Sequence, residues 1–547
     1  MTAQKTVFLE TFGCQMNELD SELVAGALRA LGYRFIDSPD HADVVLYNTC
    51  SVREHAEQKV WSRLGEVKQR KVHEPHVVVG VLGCMAERDG VALIHRMPQV
   101  DILCGPAELD KLPALLDNAV RTRDAMLADE PLPQGRLRSA KQVALQGAAS
   151  RRSGTLAAAE DTLELLDLSR AVSPTDGAAS AYVRITRGCN KFCTYCVVPH
   201  TRGAEIHRPP DHIVDECKRL ADAGVLEVTL LGQTVNHYRF EHGAAVSLNG
   251  IVQPQKGRTY KGSHNRDAFA GERVTTFADL LARIHDEVPA IQRLRFVTSY
   301  PRDFGDDVLE VIRDHPRLCR YLHVPAQSGS NRMLKQMNRG YTIEEYDEFL
   351  DRARSILHQP EIGRPLMVSG DMIVGFCTET DEDHQASMRL IERANYKNAF
   401  IFKYSPRPGT VAFDRMADDV PDEVKRRRNN EMLALQAKVS ERVMASLVGM
   451  TFDVMVEGVS QKQAKRARQA AASGGVALTV GGRDPNTVVA VEEIAMDGPT
   501  QLAARTDGDA IVHFDCPPGK SAADYVGRIV KVRVTGSSAL SLSAKLA

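Results

Sequence analysis

The chain has 547 residues, enough for about three domains. Its 69 Lys and Arg nearly match its 71 Asp and Glu, so bulk charge indicates no partner and any nucleic-acid footprint must be local. No apolar run approaches the ~20 residues that span a bilayer, and "MTAQKTVFLE" lacks a basic region ahead of an apolar signal segment; the expectation is a cytosolic protein with no membrane partner.

Residues 1–120 alternate strand and helix signals. "TVFLETFGC" (6–14), "ADVVLYNTC" (42–50) and "HVVVGVLGC" (76–84) are short apolar runs, with helical stretches between them. That rhythm predicts an α/β domain on a parallel sheet. All three runs end in cysteine. Residues 121–178 are Ala/Gly/Ser-rich with weak periodicity and read as a linker or insertion. From 179 to 445 strand candidates return: "AYVRIT", "VLEVTLLGQ", "RLRFVTS", "RYLHVPAQS", "GDMIVGF" and "FIFKYS". Six βα units predict a partial (β/α)6 barrel, with 240–275 as a polar loop insertion. Residues 446–547 switch to short alternating strands ("TFDVMVEGVS", "NTVVAVEEI", "AIVHFDC" and "GRIVKVRVTGSSALSLSA"), the pattern of a small antiparallel β-barrel. Two basic runs, "KRRR" (425–428) and "KQAKRARQ" (462–469), read first as solvated helix faces.

Eleven cysteines in a reducing compartment predict metal binding or catalysis where they cluster. Isolated ones such as Cys217 and Cys319 read as small buried apolar residues. In parallel α/β sheets ligands gather outside the carboxyl ends of the strands. Cys14, Cys50 and Cys84 are therefore expected on one rim, where three thiolates suit a soft metal or an iron–sulfur cluster. Cys189, Cys193 and Cys196 in "CNKFCTYC" close the first barrel strand at C-x3-C-x2-C spacing. Three thiolates on a 4Fe-4S cube leave one iron open to another ligand. The alternative for this trio is zinc, with His200 as the nearby fourth ligand.

"TFGCQMNELDSE", "YNTCSVREHAEQKVWSRLG", "GCNKFCTYCVVPHTRG", "LLGQTVNHY", "HVPAQSGSNRMLKQMNRGYT" and "YSPRPGT" together resemble the methylthiotransferases of the radical S-adenosylmethionine (SAM) superfamily. Within these the chain is similar to the type acting on isopentenylated adenosine in tRNA. The resemblance covers an N-terminal methylthiotransferase domain, a radical-SAM core and a C-terminal TRAM domain. It implies an enzyme with two 4Fe-4S clusters, one auxiliary on Cys14, Cys50 and Cys84 and one binding SAM on Cys189, Cys193 and Cys196. It further implies conversion of N6-(dimethylallyl)adenosine at tRNA position 37 to its 2-methylthio form. The C–H replaced is too weak an acid for any side-chain base, so the cofactors must do that step.

Strand-end residues Gln233, Asn236, Ser299, Gln327 and Arg407 are candidate SAM or substrate contacts. At Gly375 the backbone can approach an adenine closely, and Arg202 is a candidate for pairing with a SAM carboxylate or an RNA phosphate. The basic runs and the C-terminal barrel are expected to grip the tRNA anticodon arm of a monomeric enzyme; the reductant and sulfur donor stay unspecified. The sequence departs from the family at "IVGFCTET", where Cys377 and Thr378 stand in place of the more usual Pro-Gly. One rival keeps the chemistry and changes the substrate to threonylcarbamoyl-adenosine in tRNA or a ribosomal-protein aspartate; "CQMN" favours the isopentenyl substrate by analogy. Another is a zinc-stapled RNA-binding protein without catalysis.

Overall fold

The computed structural model describes residues 4–51, 54–127, 141–146, 161–170, 179–257, 269–464 and 500–547. Six parallel strands form the N-terminal sheet: β1 (Thr6–Phe12), β2 (Arg34–Phe35), β3 (Val44–Thr49), β4 (Val78–Gly83), β5 (Ile102–Cys104) and β6 (Gln142–Ala144), in the order 2-1-3-4-5-6. β3 and β4 are buried along their whole length, which is why they read as continuous apolar runs rather than as alternation. Period two still sorts their side chains by face. Val44 and Leu46 pack with Leu19, Leu23 and Leu28 of α1 (Gln15–Ala30). Val45 and Tyr47 pack with Val60, Leu64 and Val67 of α2 (Glu54–His73) on the other face.

The 121–178 stretch is more than a linker. Its described parts supply the end of a helix (Leu112–Leu127), edge strand β6 and the helix Thr162–Leu168. Each piece is too short to show periodicity, so composition alone misreads it.

The central domain carries β7 (Ser180–Arg184), the short β8 (Ile206–His207), β9 (Glu227–Leu231), β10 (Gln255–Lys256), β11 (Arg293–Phe296), β12 (Tyr321–His323), β13 (Met367–Val374) and β14 (Asn398–Lys403). Strands β7, β9 and β11 form one parallel trio, and β12, β13 and β14 another; a parallel bridge between Leu294 and Leu318 joins them. The six predicted core strands thus make an open six-stranded barrel. Thr-x-x-Asp/Glu capping boxes at Thr276, Thr342 and Thr380 start three of its helices, each satisfying otherwise orphaned amide donors. The 240–275 insertion folds back on the core, with β10 pairing antiparallel to β8.

A closed five-stranded barrel ends the chain: Thr451–Val459, Gln501–Thr506, Ile511–Asp515, Ser541–Leu546 and Ile529–Ser537, in that spatial order. The sequence reading missed Gln501–Thr506, and its "NTVVAVEEI" strand lies outside the described residues. The barrel seats on the amino ends of the core strands, where Arg293 donates to the carbonyls of Arg505 (2.6 Å) and Asp453 (2.5 Å), and Lys397 donates to Asp509 (2.6 Å). None of the described helices is long and apolar enough to cross a membrane.

Candidate functional site

Sheet register brings the first three cysteines together. Phe12 lies opposite Thr49, and Thr49 opposite Gly83, so β1, β3 and β4 end at one level and release Cys14, Cys50 and Cys84 side by side. Cys14 caps α1, and Cys84 opens the helix Cys84–Asp89. Glycines make the approach possible. A Cβ on Gly13 would stand 2.9 Å from that of Cys50. One on Gly83, at φ +85°, would stand 2.4 Å from Asn48 Oδ1. Asn17 accepts from the Cys14 thiol at 3.4 Å and donates to Asn48 at 3.1 Å, while Asn48 donates to the Asn17 carbonyl and to Ser21. The Asn of "CQMN" is thus a buried brace of the rim. Cys104 also ends a strand, but its thiol donates to the Glu108 carbonyl at 3.1 Å and stays in the core.

Hydrogen bonding from Cys50, outweighing burial and aided by Arg202 and the amides of Met16 and Asn17, lowers the Cys14 thiol to about 6. Burial raises Cys84, against the pull of Arg202 and a hydrogen bond from Thr201. Arg202 therefore faces the first trio rather than a SAM carboxylate or a phosphate. It donates to Asp20 at 2.8 Å; Asp20 in turn accepts from Arg184, which also pairs with Asp167.

Thr201 and Arg202 follow directly from the second trio. The loop from Cys189 closes on itself through the Cys189 amide and the Gly203 carbonyl (3.2 Å), and Cys196 leads into the short helix Val198–Thr201. Residues 336–339 clamp this loop. Thr194 Oγ1 donates to the Gln336 carbonyl, its amide donates to the Met337 carbonyl, and Asn338 donates to the Phe192 carbonyl. Arg339 is buried, with Nη1 3.5 Å from Cys193 Sγ, and Thr234 Oγ1 lies 3.5 Å from Cys189 Sγ. Burial, with Glu205 and Cys193 nearby, pushes Cys189 up to about 11, and burial raises Cys196 further. Thr201, Thr234, Asn338 and Arg339 were not singled out from sequence; the quoted "HTRG", "GQTVNHY" and "NRGYT" segments contain them.

None of the eleven cysteines is in a disulfide. In each trio at least one sulfur pair is wider than 4.8 Å, since among the described residues only Glu205–His207–His237 and His285–Asp286–His315 gather three donors that tightly. A single tetrahedral zinc, with Zn–S about 2.3 Å, needs its sulfurs roughly 3.8 Å apart. A four-iron cube spreads its thiolates over separate vertices and suits the wider spacing.

The other strand-end residues divide. Gln233 Oε1 and Ser299 Oγ are buried and have no hydrogen-bond partner among the described residues. Gln327 sits at φ +73° with its backbone bonded to Asp371 and Ile373. Beside it, unpredicted, His323 Nε2 lies 3.1 Å from Asp371. Asn236 instead braces the Tyr300 backbone, and Arg407 pairs with Glu57 of the N-terminal domain at 2.7 Å. The close approach at Gly375 is to Lys425, whose side chain fills the space a Cβ would take, and the Gly375 amide donates to Glu379. The "KRRR" run is no free cationic face: Lys425 pairs with Asp418, Arg426 with Asp422, Arg427 with Asp381 and Glu431, and Arg428 with Glu379. Lys425 and Arg428 are buried. Of "KQAKRARQ", 465–469 lie outside the described residues. At "IVGFCTET", Thr378 takes φ +65°, with its amide donating to Asp419.

Residues 6–105 match the uncharacterized protein family UPF0004, and 183–391 match the radical SAM superfamily. A solved radical S-adenosylmethionine methyltransferase, TsrM from Kitasatospora setae, aligns over 75% of this chain and 77% of its own at 15% identity and a TM-score of 0.43. The class is a radical SAM enzyme with a UPF0004 domain ahead of its barrel, which implies SAM and a 4Fe-4S cluster. The tRNA-2-methylthio-N(6)-dimethylallyladenosine synthase of Rhodopirellula baltica is 44% identical over 84% of this chain and 85% of its own. That of Opitutus terrae is 36% identical over 99% and 97%. The chain belongs to the tRNA-2-methylthio-N(6)-dimethylallyladenosine synthase family.

Proposed function

We propose that the protein converts N6-(dimethylallyl)adenosine at position 37 of tRNA to its 2-methylthio derivative, with Cys189, Cys193 and Cys196 holding a SAM-binding 4Fe-4S cluster and Cys14, Cys50 and Cys84 an auxiliary one. The observation that carries this reading is the pair of thiol trios at neighbouring strand-end rims, joined through Thr201 and Arg202. When bound, the first cluster supplies the electron for SAM cleavage and the second the sulfur. The chain's own residues hold and orient. Arg339 donates toward the Cys193 sulfur, and Arg202 balances the charge of Cys14 and Cys84. Gln233 and Ser299 offer buried polar atoms free for SAM, with Gln327 on the next strand end. For the tRNA anticodon arm, the terminal barrel offers exposed Arg528, Lys531, Arg533 and Lys545, the last two side by side in the sheet. Such phosphate contacts weaken as salt rises.

Two measurements test the reading. Anaerobically purified protein should be brown with about eight irons per chain, and should lose roughly half when Cys189, Cys193 and Cys196 become Ala. Nucleoside mass spectrometry of tRNA from a deletion strain should show loss of the 2-methylthio group with isopentenyladenosine accumulating. Colourless protein with zinc at the trios, or loss of a methylthio group from another nucleoside, would reject it.

A further inference from the structure

Many buried carboxylates and cations in the core meet an opposite charge. Arg208, for example, meets Glu164 and Glu216 at 2.8 Å, and Arg428 meets Glu379 at 2.8 Å. Glu205 has no such cationic partner. Its side chain is 1% exposed, and among the described residues no Lys or Arg lies within ion-pair distance. Its Oε1 receives both His207 Nε2 (2.8 Å) and His237 Nδ1 (2.5 Å), while its Oε2 has no hydrogen-bond partner among the described residues. A buried carboxylate is costly unless a cation compensates it. Two imidazoles and a carboxylate whose donors all lie within 4.8 Å of one another bring together a ligand set for such a cation.

We propose that Glu205, His207 and His237 hold one divalent first-row metal ion, zinc by preference, in a closed structural site behind the SAM-cluster loop. Two nitrogens and a carboxylate suit zinc, and a bidentate Glu205 would complete four-coordination. The outer bonds fit as well. His207 Nδ1 lies 2.8 Å from the Arg239 carbonyl and 2.9 Å from its amide. With its proton on Nδ1 donated to that carbonyl, the ring turns a lone pair on Nε2 toward the site, as metal-bound imidazoles do. With its proton on Nε2, the Arg239 amide caps Nδ1 and the metal-free ring still has every partner. Gly257 forms the wall, since a Cβ there would stand 2.8 Å from His207 Nε2 and 3.1 Å from Glu205 Cγ.

The position gives the ion a task. Glu205 and His207 lie at β8 and His237 in the turn after β9, so one ion ties two segments together against a third, the backbone at Gly257 after β10. Asn190, inside the SAM-cluster loop, accepts from the Glu205 amide at 3.1 Å and donates to the Gly257 carbonyl at 3.0 Å.

The test is elemental analysis with acid-labile sulfide on anaerobically purified full-length protein, dialysed against zinc and then against a mild chelator. One zinc per chain is expected beyond the cluster metals; after growth in iron-only medium, one iron in excess of sulfide marks the same site. Glu205→Gln, which keeps the shape of the side chain, and the His207→Ser/His237→Ala pair should each lose that equivalent with sulfide unchanged. Wild-type protein without metal in excess of sulfide, or an excess that persists in both variants, overturns the site. Sulfide reports the clusters separately, so failure here and failure of the proposed function are distinguishable.

Discussion

Gly83→Ala separates two costs that the auxiliary rim imposes on one residue. Gly83 has φ +85° and ψ −157°, a region essentially confined to glycine that costs an L-residue about 1–3 kcal/mol. A Cβ there also meets Asn48 Oδ1 at 2.4 Å and the Thr49 carbonyl at 2.8 Å. Neither contact relaxes cheaply: Asn48 is held at both ends of its amide by Asn17 and Ser21, and the Thr49 oxygen is backbone. Crowding of that kind adds about 1–3 kcal/mol, for a total of about 2–6 kcal/mol. Gly32→Ala is the control for positive φ without crowding, because Gly32 has φ +87° and nothing within 4 Å of its absent Cβ. At roughly 4 °C per kcal/mol for a domain of this size, Gly32→Ala, at about 1–2 kcal/mol, lowers the N-terminal unfolding midpoint by about 4–8 °C and Gly83→Ala by about 8–24 °C. The crowding pushes on Asn48, Asn17 and hence Cys14, so Gly83→Ala also drops iron from about eight toward about four per chain, while Gly32→Ala keeps its iron. Equal midpoints and equal iron in the two variants would refute the packing argument.

Arg202→Met removes the guanidinium but keeps most of the volume; breaking this buried pair costs about 3–5 kcal/mol, and the auxiliary cluster should go while the SAM cluster stays, read as half the iron and sulfide. Arg339→Gln withdraws positive charge from beside Cys193, so an EPR-monitored titration should find a more negative SAM-cluster potential at unchanged iron content; an unmoved potential would show that Arg339 only fills space. Burial alone would raise Asp509, but Lys397, Arg295 and Arg505 outweigh it and hold the carboxyl well below its usual range. The stability this gives is present above pH ~4, the unfolded value, and is lost as pH falls below it; protection factors in the terminal barrel, taken against the intrinsic exchange rate at each pH, should fall below that point in the wild type, and Asp509→Asn should lower them above it and flatten that fall.

The cysteine trios were legible because strand ends and thiols leave local signatures. Three parallel strands of matched length put Cys14, Cys50 and Cys84 on one level, and C-x3-C-x2-C is a contiguous string. The supports were not legible, because they are contacts between distant segments. Nothing local marks Arg339 as the neighbour of Cys193, 146 residues earlier. Arg202 carries a charge suited to a ligand, yet a buried acid on α1, 182 residues away, claims it. "KRRR" misleads for the same reason: the helix Asp422–Ala445 buries two of its four cations, Lys425 against Asp418 at the surface and Arg428 against buried Glu379. Short elements such as Gln142–Ala144 escape periodicity altogether, because three residues cannot display one.

The segment between the second trio and Gly203 makes the two thiol rims mechanically one object. Its start is fixed by Gly188, at φ +70°, where a Cβ would lie 2.0 Å from the Ala204 carbonyl, so the chain on either side of the loop is in backbone contact. Its end carries Thr201 against Cys84 and Arg202 against Asp20. A shift of Arg202 therefore moves Gly203, whose carbonyl holds the Cys189 amide. Ligands for one rim and the outer bonds of the other are thus written into fifteen consecutive residues, 189–203. On the proposed function, a sulfur source and a SAM site that act on one base gain from this arrangement, since the residues touching the first rim, Thr201 and Arg202, are a short covalent path from the second.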